Sequence, residues 1–199
     1  NVTSFRIPGI QSTATSGDVL TYDGSKLALA TPAGGGAMEL ISTQTVSTTV
    51  ASVEFTSVSG YSMYKLIIRG YKQNATGLRV DLQVGNGTSH NTFANIISNT
   101  SFTSSDMNFY DESASTRPPV FFYNRHNQTC FLEMTIAEDS AGVVSYWGDG
   151  TSAYNTNGTT LSKFAGHSTT GNGIGNVEVF PSGGSISAGT FLLYGIKDS

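Results

Sequence analysis

The sequence predicts an all-β protein: an antiparallel β-sandwich, a jelly roll before an ordinary sandwich, with an extended N-terminal arm and a small hairpin. Three observations predict it. Short runs of aromatic and β-branched residues alternate with polar ones at period two. Clusters of Gly, Asn, Ser and Pro punctuate those runs. No stretch of ten or more residues keeps the apolar spacing of three and four that a helix needs. The 199 residues can enclose one sizeable core with an arm to spare.

Residues 1–36 read differently from the rest. Asn1 to Ser16 is polar, with few apolar anchors and a turn-like Pro8-Gly9. Val19 to Tyr22 and Leu27 to Ala30 then form a hairpin about Asp23-Gly24, a pair that tolerates positive φ. A two-stranded hairpin is marginal alone in water, so Val19, Leu20, Tyr22 and Leu27 need a surface to cover them. That surface is the main domain or a neighbouring chain. Pro32 followed by Gly34-Gly35-Gly36 is a flexible connector. The chain therefore divides into an attachment segment, 1–36, and a sandwich, 37–199.

Within the sandwich, Met38–Thr45 and Ser52–Ser57 open the strand series, and Tyr64–Tyr71 is rich enough in aromatic and β-branched residues to be central. Leu78-Arg79-Val80-Asp81-Leu82-Gln83-Val84 alternates without error, the signature of a half-buried strand. Val120–Tyr123 and Phe131–Ile136 pair about a turn at 124–127. Val143–Trp147 follows, ended by Gly148-Asp149-Gly150. Leu161–Ala165, Ile174–Phe180 and Phe191–Ile196 complete the series. Phe93-Ala94-Asn95-Ile96-Ile97 is the one place where a short helical turn is expected. About ten short strands make two stacked sheets.

Charged residues make up 12% of the chain, about half the usual share, so uncharged Ser, Thr, Asn and Gly carry the surface. The net charge of −4 and scattered Lys and Arg argue against nucleic-acid binding and against a polybasic membrane patch. No apolar run approaches the roughly 20 residues of a membrane helix, and residues 1–10 lack the pattern of a signal peptide. The single cysteine, Cys130, lies in an apolar run and reads as a small buried residue.

Catalytic chemistry finds little footing. His90, His126 and His167 each fall among Ser, Asn and Thr in expected loops, with no partner at metal-ligand spacing. The carboxylate pairs Asp111-Glu112 and Glu138-Asp139, together with Asp149, are candidates for glycoside hydrolysis, but the pairs sit in turn-like sequence and adjacent residues of an extended chain point to opposite faces. No nucleophile elbow occurs, and the glycine-rich stretch 171–175 lacks the lysine and following helix of a phosphate loop. Asn74, Asn86 and Asn127 begin N-x-T sequons, read here as ordinary loop polarity. We expect no enzyme activity, metal or cofactor. The best binding feature is aromatic: Tyr146, Trp147, Asp149 and Tyr154 put the only Trp beside acidic and hydroxyl groups, a combination suited to stacking on a sugar ring and accepting its hydroxyl hydrogens. The competing reading makes Trp147 a core plug or an intersubunit contact.

Two stretches carry a family resemblance. Gly17-Asp18-Val19-Leu20-Thr21-Tyr22-Asp23-Gly24 resembles the G-x-V-L-x-[YW]-D-G element of phage tail-fibre and other virion proteins. Met38–Val46 through Gly60–Leu66 is similar to the start of a β-sandwich module of tailed-phage structural proteins, and Gly189-Thr190-Phe191-Leu192-Leu193-Tyr194-Gly195-Ile196-Lys197 is similar to its end, G-T-F-x-L-Y-G-I-K. The resemblance brackets residues 17–197 and implies a bacteriophage virion surface protein, on the exterior of tail or capsid. The expected form is a homotrimeric fibre- or spike-type adhesin that docks on other virion proteins by its arm and presents the sandwich to a host glycan. The shortness of the arm leaves a capsid decoration, cement or head-fibre protein as an alternative; a small glycan-degrading enzyme is the least favoured.

Overall fold

The computed structural model describes residues 19–22, 27–30, 38–75, 78–85, 90–99, 105–117, 119–124, 129–155 and 158–197. Side chains are described within 38–75, 79–85, 115–117, 119–120, 129–152 and 161–197. The described residues hold fourteen strands and no helix, so none is long and apolar enough to cross a membrane. The backbone separates into two units, Asn1–Ala37 and Met38–Ser199.

In the first unit β1 (Val19–Tyr22) pairs antiparallel with β2 (Leu27–Ala30), placing Leu20 opposite Leu29 and Tyr22 opposite Leu27. The expected turn at Asp23-Gly24 lies outside the described residues.

The second unit is two antiparallel sheets. The larger runs in the order β3 (Met38–Val46), β14 (Ile186–Ile196), β5 (Met63–Gln73), β10 (Cys130–Glu138), β11 (Val144–Asn155), β12 (Gly158–Ser168), β7 (His90–Asn99) and β8 (Ser105–Ser115). The smaller runs β4 (Val53–Val58), β13 (Gly175–Pro181), β6 (Leu78–Val84) and β9 (Pro119–Asn124). The chain changes sheet at nearly every connection; only the hairpins β7–β8, β10–β11 and β11–β12 stay within one sheet. Alternation sets which side chains face inward. On β5 Tyr64, Leu66 and Ile68 are buried while Lys65 and Ile67 are partly exposed; on β10 Leu132, Met134 and Ile136 are buried and Phe131 is not. These meet Val80, Leu82 and Val84 of β6 and Val177 and Val179 of β13 in one apolar cluster, the core of the sandwich. β9 lies over β11, β12 and β7.

Four expectations need correction. Residues 93–97 are strand, not helical turn: β7 pairs along its length with both β12 and β8. Gly148-Asp149-Gly150 does not end a strand but lies inside β11, which continues to Asn155. A Cβ on Gly148 would sit 2.2 Å from the Glu133 carbonyl oxygen and 2.8 Å from the Phe164 ring, so glycine here permits close packing between strands rather than a turn. The Asp111-Glu112 pair, read as turn-like, is in β8, and His90 and His167, read as loop residues, are in β7 and β12. Of the turn expected at 124–127, Asn124 belongs to β9, and 125–127, His126 included, lie outside the described residues.

Candidate functional site

Two surfaces of the second unit carry side chains that the core does not use. The first is the outer face of the larger sheet. In-register pairing places Trp147 of β11 between Thr135 of β10 and Ala165 of β12, and Asp149 between Glu133 and Lys163. Glu133 also forms an ion pair with Lys65 of β5. Apolar groups surround them. Trp147 is 45% exposed and Phe131 41%, and Ile67, Leu161, Leu192 and Tyr194 are half-buried on the same side. The edge strand β3 adds Met38, Leu40 and Ile41, all exposed, with Ile41 bulged between the pairs Ser42–Leu193 and Leu40–Tyr194.

Of the four residues expected to contact a saccharide, this face presents two. Trp147 and Asp149 point outward. Tyr146 points the other way and is only 1% exposed; neighbours on a strand face opposite sides, so it belongs to the core and is withdrawn as a contact residue. Tyr154 lies on β11, and its side chain is outside the described residues, as are those of Val19, Leu20, Tyr22 and Leu27.

The second surface was not anticipated. The connections β4–β5, β10–β11 and β12–β13 gather at one end of the sandwich. Glu138 N–H donates to the Ser62 carbonyl at 2.9 Å and Gly173 N–H to that of Gly142 at 3.0 Å, which stitches the three loops together. Two carboxylates finish the work. Asp139 accepts hydrogen bonds from Ala141 N–H and Val143 N–H, both at 2.9 Å, and Glu138 accepts from Ile174 N–H at 3.0 Å. The pair expected to be turn-like is therefore a turn-builder.

Tyr61 stands in this loop cluster, fixed at three points. Gly195 is paired with Glu39 on one side and Tyr64 on the other, and the Tyr61 ring lies over it: a Cβ there would meet the ring at 2.4 Å. The ring packs edge-to-face on Tyr64, centroids 5.8 Å apart. The Tyr61 hydroxyl donates to Glu39 Oε2 at 2.9 Å, and Lys197 Nζ reaches the same oxygen at 3.0 Å. Hydrogen bonds from Lys197 and then Tyr61, helped by the ammonium charge, hold the Glu39 carboxyl below its usual range. Those bonds raise the Tyr61 phenol and the Lys197 ammonium above theirs. Nothing in the sequence signals this meeting, because it depends on strand register.

Cys130 is buried behind Tyr71, its thiol 3.7 Å from the Tyr71 carbonyl and pushed up to about 12 by burial. Among the described residues no group of three or more His, Cys, Asp or Glu is placed to hold a metal ion.

No family model matches the chain, and no curated protein matches it. Among solved structures it is slightly similar to one described as "Structure of infectious bursal disease virus Gx strain", with 11% identity and a TM-score of 0.14 over 89% of this chain and 46% of that one. The chain spans about half the length of that structure, and the likeness bears on neither fold nor function.

Proposed function

We propose that this chain is a structural protein of a bacteriophage virion surface, a non-enzymatic homotrimer. In this reading the N-terminal arm docks on the particle and the sandwich is presented to the host. The carrying observation is the outer face of the larger sheet. A monomer gains nothing by showing water Trp147, Phe131, Leu40 and Ile41 on one sheet and its edge, and large apolar side chains gathered on one side in this way favour association. An edge strand such as β3 is also a liability that assembly removes. Lys65 and Glu133, which lie among these apolar groups, are already paired with each other, so covering them strands neither ion.

The strand order supports the finer, jelly-roll reading. With the hairpins β7–β8 and β11–β12 set aside, eight strands remain in two four-stranded sheets, β3-β14-β5-β10 and β4-β13-β6-β9. Each sheet then pairs strands far apart in the chain, the path of two nested Greek keys. In this reading the two hairpins widen one sheet and create the broad face that the trimer covers.

The test is to localise and count the protein on purified particles, by antibody labelling in electron microscopy and quantitative mass spectrometry. Labelling of the exterior, at a copy number divisible by three and in the tens, supports a fibre or spike. Hundreds of copies over the head support the decoration alternative, and absence from particles refutes the proposal.

A further inference from the structure

Resting on the adhesin reading, we propose that the saccharide-contact site is the Tyr61 end of the sandwich, not the Trp147 face, and that its ligand is an uncharged sugar ring. An aromatic platform binds a pyranose through the apolar C–H face of the sugar, and does so best when the ring is already immobile. Tyr61 meets that requirement: Gly195 lies under the ring, Tyr64 against it and Glu39 on its hydroxyl. Among the described residues no hydrogen bond or ring contact braces the Trp147 ring; its in-register neighbours are Thr135 and Ala165.

The surroundings supply the polar half of recognition. Tyr61 stands on the rim shared by two shallow depressions. Ile196 and Lys197 line one, with Glu39 held to Lys197. Glu138, Asp139 and Ser140 line the other. Fixed carboxylate acceptors and an ammonium donor around an aromatic ring suit a ligand with many hydroxyls, each both donor and acceptor. Three carboxylates stand against one lysine, which disfavours an acidic sugar. The loops that form the site are tied to each other by backbone hydrogen bonds, so a ligand need not order them.

Saturation-transfer NMR on the full chain tests this. The sugars are glucose, galactose, mannose and N-acetylglucosamine, with N-acetylneuraminic acid as the charged comparison. Each is used at about 10 mM, about ten times a millimolar dissociation constant. At least one neutral sugar receives saturation, and the acidic one receives less. Tyr61→Ala abolishes the signal. Should that variant fold poorly, Glu39→Gln and Lys197→Ala alter only exposed side chains, and each weakens binding about tenfold. Trp147→Ala leaves binding unchanged. The inference is overturned if no neutral sugar responds, if the acidic sugar is preferred, if neither Glu39→Gln nor Lys197→Ala weakens binding, or if Trp147→Ala removes it. A trimer on the particle that binds no sugar sinks this site and spares the assembly reading; a monomer that binds sugar as described does the reverse.

Discussion

The two faces of the larger sheet are made from the same strands, yet they are chemically different surfaces. Along β10 and β11 the inward residues Met134, Ile136, Val144 and Tyr146 are buried to 1% or less, while the outward Phe131 and Trp147 keep more than 40% of their surface in solvent. Period-two alternation explains how one strand serves both faces. It does not explain why the outer face keeps large apolar groups, because a solvated sheet face is ordinarily polar. The inner face is where this fold holds itself together, and the outer face is where, in the proposed reading, it meets another copy.

Substitution separates the two. Phe191→Ala on the inner face, at a fully buried ring, costs about 3–5 kcal/mol; Phe131→Ala on the outer face costs about 0.5 kcal/mol or less in the monomer. Urea unfolding at a concentration low enough to keep the chain monomeric reads both. Equal losses would erase the distinction.

High pH acts on the inner face through Cys130. Burial keeps Cys130 protonated in the fold up to about 12, while an exposed thiol ionises near 9. The unfolded chain therefore gains the thiolate first. Stability is intact below about pH 9 and falls as pH climbs toward about 12, by at most about 1.4 kcal/mol per unit. The Tyr71 phenol, raised by burial, adds a loss of the same sign above pH 10. In Cys130→Ala the decline between pH 9 and 10 disappears; if it persists, the thiol is not its source.

Gly148→Ala is a smaller perturbation of the same interior. The added methyl meets the Glu133 carbonyl and the Phe164 ring, and overpacking of this kind costs about 1–3 kcal/mol in thermal or urea unfolding. The smallest effect on folding belongs to Trp147→Ser, within about 0.5 kcal/mol for the monomer. Its expected signature is instead a self-association constant weakened about tenfold or more, measured by sedimentation.

Local pattern fixed much of this fold and little of its surface chemistry. β6 was legible to the residue because Leu78–Val84 alternates without interruption and one face is buried. β7 was not: Phe93, Ile96 and Ile97 break the period-two pattern in the sequence, and pairing with β8 and with the remote β12 overrides the local signal. Gly148 and Gly150 read as turn residues because sequence cannot distinguish a glycine that bends the chain from one that lets a neighbour approach. Of the expected contact residues, Trp147 and Asp149 reach the surface, whereas a one-residue step sends Tyr146 into the core. The Tyr61–Glu39–Lys197 cluster was invisible because the register of β3 against β14 and the β4–β5 loop create it, and no spacing in the chain encodes that register.

Trp147 is the only tryptophan, so its fluorescence reports directly on the outer face. Acrylamide quenching across a dilution series, with the mass followed by sedimentation in the same samples, joins the face to the assembly. The account predicts a particle of three 20.9 kDa chains in which Trp147 is shielded, with quenching rising as the particle dissociates. A chain that stays monomeric at every concentration, with Trp147 freely quenched throughout, would contradict it.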